Sequence, residues 1–315
     1  MLPDDFLQRF HALCPEPLRD AALASFGAPK RVSFRLNRLR PEPQAALQAL
    51  CDLGLSPQPV AWARARGVEA YEIPPVQREL LTHSRQADQG DIYVQSLSSM
   101  LAPLLLAPQP DDWVLDLAAA PGGKTILLAE LMGNGGKISA VEPVQGRYHK
   151  LKANLGRCGV TNTQTYLKDG RAVGSLKPEA FDRVLLDAPC SSESRFRTDD
   201  PASTAHWSLR KVDECARKQT RLILSAYDAL KPGGRLMYCT CSYAPEENEA
   251  VVHHLLRKRT GAQVLDTGVP IDHASPGITH WAGKDLDASC ARTIRIWPTD
   301  GMDGFFLALI AKPAA

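Results

Sequence analysis

Three apolar runs, Trp113-Val114-Leu115-Asp116-Leu117, Val184-Leu185-Leu186 and Leu236-Met237-Tyr238, each lead into a short segment dense in functional groups. This pairing constrains the fold most strongly. The first run enters the turn Ala118-Ala119-Ala120-Pro121-Gly122-Gly123-Lys124-Thr125, the second leads to Asp187-Ala188-Pro189-Cys190, and the third to Thr240-Cys241-Ser242. Short apolar runs of this kind read as buried strands. In open α/β sheets ligands bind beyond the carboxyl ends of the strands, so all three segments are expected to face one cavity. A glycine-bearing turn and two thiols there point to covalent group transfer.

Further strands are predicted at 137–142, 163–167, 293–297 and 304–311, beside 113–117, 182–187 and 234–240. The segments between them are mostly long enough for crossover helices. The expectation is an α/β fold with a doubly wound, mostly parallel, seven-stranded sheet. Upstream, residues 4–26 carry helical spacing in Phe6, Phe10, Leu13, Leu18, Ala22 and Phe26, residues 31–37 alternate as a strand, and 45–53 read as a helix stopped by Gly54. These form a small α+β module, assigned to residues 1–85 with the catalytic domain over 86–315. Residues 91–110 read as a helix feeding the first large-sheet strand.

The chain has 315 residues, 44% of them hydrophobic, which supports a real core and excludes global disorder. A formal charge of +2 gives no bulk argument for a nucleic-acid partner. That argument rests on local clusters: Lys30, Arg31, Arg35, Arg38 and Arg40, then Arg195 and Arg197, then Arg210, Lys211, Arg217, Lys218 and Arg221, with 210, 217 and 221 on one helical face. The eight cysteines include no Cys-x-x-Cys pair, so neither a zinc site nor any other metal is expected, nor a disulfide scaffold. The start, Met1-Leu2-Pro3-Asp4-Asp5, lacks the positive charge of a secretory signal, and the apolar stretch 101–107 is short and interrupted by Pro103. A soluble, cytoplasmic, monomeric protein without membrane contact is expected.

Gly122-Gly123-Lys124-Thr125 invites comparison with a phosphate-binding P-loop, and the carboxylate ending Arg183-Val184-Leu185-Leu186-Asp187 keeps a P-loop nucleotidase in view. Against it, the first glycine position is Ala118, and Pro121 offers no N–H to an anion. The other reading makes 118–124 the first βα loop around an adenosine-type cofactor, with Glu142 accepting hydrogen bonds from ribose hydroxyls. On residues alone a surface acid is the commoner reading of Glu142, and a plain tight turn an equal one of Gly122-Gly123.

Taken together, the 116–125 segment, Asp187-Ala188-Pro189-Cys190-Ser191, and Tyr238-Cys239-Thr240-Cys241-Ser242 with Glu246-Glu247-Asn248-Glu249 resemble the RNA cytosine-5 methyltransferases of the RsmB/RsmF and NSUN group. The resemblance takes in Gly90 to Met100, Arg147 to Gly159, Lys231-Pro232-Gly233-Gly234, Asp303-Gly304-Phe305-Phe306 and Ser33-Phe34-Arg35-Leu36-Asn37, most of the chain. It implies a class I, Rossmann-like methyltransferase that uses S-adenosyl-L-methionine on ribosomal or transfer RNA. Where relatives often carry Gly-Glu-Gly, this chain has Ser192-Glu193-Ser194-Arg195-Phe196-Arg197, a loop expected to touch RNA.

The chemistry suits such residues, since cytosine C5 is a poor nucleophile until a thiolate adds at C6. The resemblance makes Cys241 that nucleophile, Cys190 the group that helps remove the C5 proton, and Asp187 the partner of ring N3 and the exocyclic amine, with Lys124 beside them. It assigns Ala118, Ala119, Ala120, Pro121, Gly122, Gly123 and Lys124 to the methionine and ribose portion of the cofactor. Glu142 falls to the ribose hydroxyls, Asp169 to the adenine edge and Asp187 to the sulfonium border, and Arg147 matches a basic family position. An RNA-binding relative without activity is the remaining alternative, which the presence of both cysteines opposes. DNA cytosine methyltransferases put their nucleophile in the Pro-Cys block and lack a Thr-Cys-Ser partner.

Overall fold

The computed structural model describes residues 2–269 and 271–314. A small sheet joins β1 (Val32–Leu36), β2 (Gln58–Pro59), β3 (Ala70–Ile73) and β4 (Ile92–Val94) in the order β2-β3-β1-β4. The large sheet uses β5 (Trp113–Asp116), β6 (Lys137–Val141), β7 (Thr163–Tyr166), β8 (Phe181–Asp187), β9 (Leu230–Thr240), β10 (Gln263–Leu265) and β11 (Ala274–Pro276). After a hairpin, β12 (His280–Trp281) and β13 (Lys284–Asp285), it is completed by β14 (Ile294–Ile296) and β15 (Phe305–Ala311).

Strands β7, β6, β5, β8 and β9 lie side by side and parallel. Beyond them β15 runs antiparallel to β9, and β14 antiparallel to β15, so β15 alone is reversed among these seven strands. The expected seven are all present. The sheet nevertheless counts nine strands among the described residues, because β10 pairs with β15 beside β14 and β11 is added outside β14. These additions are three residues each, too short for a periodicity signal.

Alternation along the central strands explains burial on both faces. Leu185 and Met237 pack under the helix Leu97–Leu106, whereas Val184, Leu186, Leu236 and Tyr238 face the helix Leu209–Ala229 through Leu222, Ile223 and Ala226. Each such aliphatic side chain contributes about 1.5–3 kcal/mol on burial. The long helix starts at Ser208, whose Oγ accepts from Lys211 N at 3.1 Å.

Two sequence expectations need correction. Residues 4–26 form two helices, Asp4–Leu13 and Glu16–Ser25, because Pro15 cannot extend the first. Residues 91–110 do not form one helix: Gly90, at φ 76°, ends the preceding turn, Ile92–Val94 joins β1 through Leu36↔Ile92, Arg35↔Tyr93 and Phe34↔Val94, and the helix covers only Leu97–Leu106. That pairing is non-local and leaves no local signature. The small sheet therefore includes residues up to Val94.

Candidate active site

Register brings the cysteine segments together. In the β8–β9 pair Asp187 lies opposite Cys239, so the chain leaves both strands at the same edge. The two exits are hydrogen-bonded to each other, Ala188 N to Cys239 O at 2.9 Å and Ser194 N to Cys241 O at 3.0 Å. The Sγ atoms of Cys190 and Cys241 stand 3.2 Å apart, both partly exposed. Cys190 donating to Cys241 holds the latter's thiol below its ordinary value, with Arg195 adding to the effect against burial. The same contact, with burial, pushes Cys190 well up. Cys241 is thus the more readily ionised sulfur of the pair.

Cys239 is distinct from this pair. Thr240 closes β9 with its Oγ1 bonded to Asn248 Oδ1 at 2.6 Å, and Cys239 remains in the core with Sγ 3.6 Å from Asp187 Oδ1. Burial pushes its thiol well up. Cys14, Cys158, Cys215 and Cys290 are buried and Cys51 is exposed; none of the eight is in a disulfide.

On the other side of Asp187, its Oδ2 accepts from Lys124 Nζ at 2.7 Å, and Nζ also donates to Ser99 Oγ at 2.5 Å. Burial works against the Lys124 charge, but Asp187 and Cys239 more than offset it and the ammonium is held above its ordinary range. Asp116, ending β5, is buried with Oδ2 accepting from Thr125 Oγ1 at 2.6 Å and Oδ1 without a partner, and burial pushes its carboxyl up to about 7.

The turn 118–124 runs between β5 and the helix Gly123–Leu131. Gly122 has φ 113°, a conformation that favours glycine, and an added Cβ there would also press on Leu151 at 3.1 Å. Ala119 N donates to Val141 O at 3.0 Å, Arg147 Nη2 to Ala120 O at 2.7 Å and Asn154 Nδ2 to Pro121 O at 2.8 Å. Arg147 is therefore a tether of this loop rather than a free helix residue. Glu142 follows β6 and is fully buried, which removes the surface-acid alternative. Its Oε1 accepts from Val144 N at 2.9 Å, while Oε2 has no hydrogen-bond partner and Arg147 Nη1 lies 3.5 Å away. A buried carboxylate oxygen awaiting a donor fits a ribose hydroxyl at that strand end. Asp169 is half-exposed, and Arg171 grips it through Nε at 3.0 and 2.9 Å, which holds its carboxyl below the usual range.

Sequence reasoning gave no role to the buried carboxylates that organise the cysteine loops. Glu193 Oε2 accepts from Tyr243 N at 2.7 Å, Ala244 N at 3.0 Å and Ser242 Oγ at 3.1 Å, and its Oε1 accepts from Trp207 Nε1 at 2.9 Å. Glu247 accepts from Ser191 N at 3.0 Å, Gln219 Nε2 at 2.9 Å and closely from Ser191 Oγ, and with Oε1 2.8 Å from Ser242 Oγ it shares that single hydroxyl hydrogen with Glu193. Burial pushes Glu247 up to about 7. An acidic residue beside each cysteine block was the available signal, but nothing local says that it turns inward. Phe10 packs edge-on to Tyr243 at 5.1 Å, fastening the first helix to the Cys241 loop. Trp207 is a packing residue against Phe6 and Phe196.

The basic clusters divide. Arg210, Arg217, Lys218 and Arg221 are exposed along the long helix. Arg35, grouped with the surface basics from sequence, is wholly buried against Glu130. No helix among the described residues is long and apolar enough to cross a membrane.

The strand order, with one reversed strand among seven and the cysteine and glycine loops gathered at the carboxyl edge, together with the family and structural matches, identifies an α/β methyltransferase of the S-adenosylmethionine-dependent class. The family profile of the 16S rRNA methyltransferases RsmB/F matches residues 103–311, and the chain belongs to that family. It is 39% identical, over 90% of its length and 89% of the relative's, to the tRNA (cytosine(49)-C(5))-methyltransferase of Pyrococcus abyssi. It is 37% identical, over 99% of its length, to the ribosomal RNA small subunit methyltransferase F of Aeromonas hydrophila, of which it spans 64%. Of several other curated relatives of that name it spans about half the length, 52–54%. A crystal structure of a methyltransferase homologue from Pyrococcus horikoshii superposes with a TM-score of 0.77 at 31% identity, covering 99% of this chain and 100% of that one.

Proposed function

We propose that this protein methylates C5 of a cytosine in RNA through a transient bond between Cys241 and C6. The observation that carries the reading is the 3.2 Å separation of the two sulfurs beside the Asp187–Lys124 pair at one sheet edge. The loop 118–124, Glu142, Asp169 and Arg147 would hold the donor, and the unpartnered Glu142 Oε2 supports that fit. S-adenosylmethionine, when bound, supplies an electrophilic methyl group.

The chain's own residues perform the rest. Cys241 thiolate adds to C6, and the C5–C6 π pair moves to C5, making it the nucleophile that takes up the methyl group. As the ring takes up a proton from solvent at N3, the Asp187 carboxylate accepts from N3–H and from the exocyclic amine, and Lys124 fixes its orientation. Cys190 then accepts the C5 proton, the C5–C6 double bond re-forms and the C6–Sγ bond breaks, returning the electron pair to Cys241. The electrostatics of the sulfur pair order these events. Cys190 resists ionisation while Cys241 is anionic; adduct formation removes that anion, so Cys190 gives its own proton to bulk water and, as a thiolate, accepts the C5 proton only after Cys241 has been consumed.

A cytosine must leave its stack to reach sulfurs at the sheet edge, and the exposed arginines of the long helix supply phosphate contacts that give affinity without sequence information. The unpaired cysteines suit a reducing cytoplasm. Two measurements test the reading: thermal stabilisation by S-adenosylhomocysteine but not by ATP with magnesium, and bisulfite sequencing of ribosomal and transfer RNA from a deletion strain and its parent. Loss of a 5-methylcytosine on deletion supports it; stabilisation by ATP alone, or unchanged methylation, overturns it.

A further inference from the structure

A fully buried arginine from the small sheet reaches under the donor loop. Arg35, on β1, donates from Nε to Gln95 Oε1 at 3.1 Å and from Nη2 to Gly123 O at 3.3 Å, and Nη1 pairs closely with Glu130 Oε1. Gly123 and Glu130 are seven residues apart and so share one face of the helix that begins at the donor loop. Arg35 also lies 5.3 Å from the Tyr93 ring centroid, and a Cβ added to Gly123 would meet Tyr93 Cε1 at 2.9 Å and Gln95 Cδ at 3.4 Å. Gly123 is thus seated against the same groups that surround the guanidinium. From there Gln95 Nε2 donates to Ser99 Oγ at 3.3 Å, and Ser99 Oγ accepts from Lys124 Nζ. A continuous chain of polar contacts connects Arg35 to Asp187.

We propose that Arg35 is a positioning residue for the donor loop, through which the small sheet fixes the place of Gly123 and, by way of Gln95 and Ser99, of the Lys124–Asp187 pair. This rests on the reading of 118–124 as the donor loop. A planar guanidinium with several fixed N–H directions serves three acceptors at once, which a lysine ammonium on a flexible stem does not reproduce. Removing Arg35 alone leaves Glu130 buried and uncompensated, so Arg35→Ala confounds folding with positioning.

The experiment uses Arg35→Lys, which keeps the charge pair, and the double variant Arg35→Met with Glu130→Gln, which removes both charges. Calorimetric titration with S-adenosylhomocysteine and thermal melting are run on each beside the parent. The expected result is melting close to the parent in at least the double variant, with donor affinity about tenfold weaker in both, corresponding to roughly 1.4 kcal/mol. A role confined to stability predicts affinity restored along with melting in the double variant, and that result overturns the inference. A parent protein that fails to bind S-adenosylhomocysteine overturns the underlying reading of the loop instead.

Discussion

Lys124 donates to Asp187 Oδ2 across 2.7 Å with its ammonium 5.4 Å from the Phe305 ring centroid, so a buried ammonium meets a partly exposed carboxylate beside the proposed base site. Breaking such a partly exposed pair from one side costs about 1–3 kcal/mol, between the exposed and the fully buried cases, whereas removing both charges is nearer neutral. Asp187→Asn and Lys124→Met are each expected to lower stability by that order. The double variant is expected to recover most of the stability and none of the methyl transfer. Denaturant melts and tritium-transfer assays on the four proteins read both quantities, and an active double variant contradicts the role given to Asp187.

The sulfur pair has a signature in solution. A Cys241 thiol held below its ordinary value is alkylated at lower pH than the other cysteines, since only the thiolate reacts. Cys190→Ala removes the donor that favours the Cys241 thiolate, so the pH profile of Cys241 alkylation moves upward. Peptide mass spectrometry after timed iodoacetamide treatment checks this. A profile unmoved or displaced downward contradicts the direction of proton sharing.

Asp116 adds a stability test. Burial pushes its carboxyl up to about 7, well above the ordinary aspartate range, so the folded state binds the proton more tightly than the unfolded chain. Stability from this group is fully present below the unfolded value and declines as pH rises through the window between the two. Asp116→Asn is neutral throughout. Its melting temperature is therefore expected to gain on the parent from pH 4 to 7 and level off above, a difference on the order of 2–4 kcal/mol. A constant offset across that range refutes the assignment.

Burial pushes the Glu193 carboxyl up, and the hydrogen bonds it accepts from Trp207, Tyr243, Ala244 and Ser242 oppose that shift. Glu193→Gln turns an amide N–H₂ toward some of these donors, at about 1–3 kcal/mol for each group left unpaired. Turnover is expected to fall because the Tyr243 and Ala244 amides anchor the Cys241 loop, while S-adenosylhomocysteine affinity stays within about twofold of the parent. Equal losses in both contradict a role confined to the cysteine loops.

Much of this architecture was legible in the residues, for identifiable reasons. Buried parallel strands are continuous apolar runs, and Val184-Leu185-Leu186 and Leu236-Met237-Tyr238 show where β8 and β9 run and that their ends carry cysteines. The distance between two sulfurs is set by register, Asp187 opposite Cys239, which no local pattern encodes. Arg35 was misread for a related reason: alternation in β1 is obscured because all five of its residues are buried, and an arginine was grouped with surface basics although its partner Glu130 lies 95 residues away. Glu193 and Glu247 stand beside motif residues, but their inward orientation follows from the packing of helix Asp4–Leu13 and the two loops, contacts made only in the folded chain. Strand β4 was hidden in a segment read as helix because its pairing partner, β1, lies more than fifty residues upstream.

The division of labour between the sulfurs admits one decisive measurement. Parent, Cys190→Ala and Cys241→Ala proteins are incubated with S-adenosylmethionine and unmodified cellular RNA, then resolved on a denaturing gel for protein that migrates with covalently attached RNA. The account predicts a stable adduct for Cys190→Ala and none for Cys241→Ala, which also transfers no methyl group. An adduct formed by Cys241→Ala and absent from Cys190→Ala contradicts it.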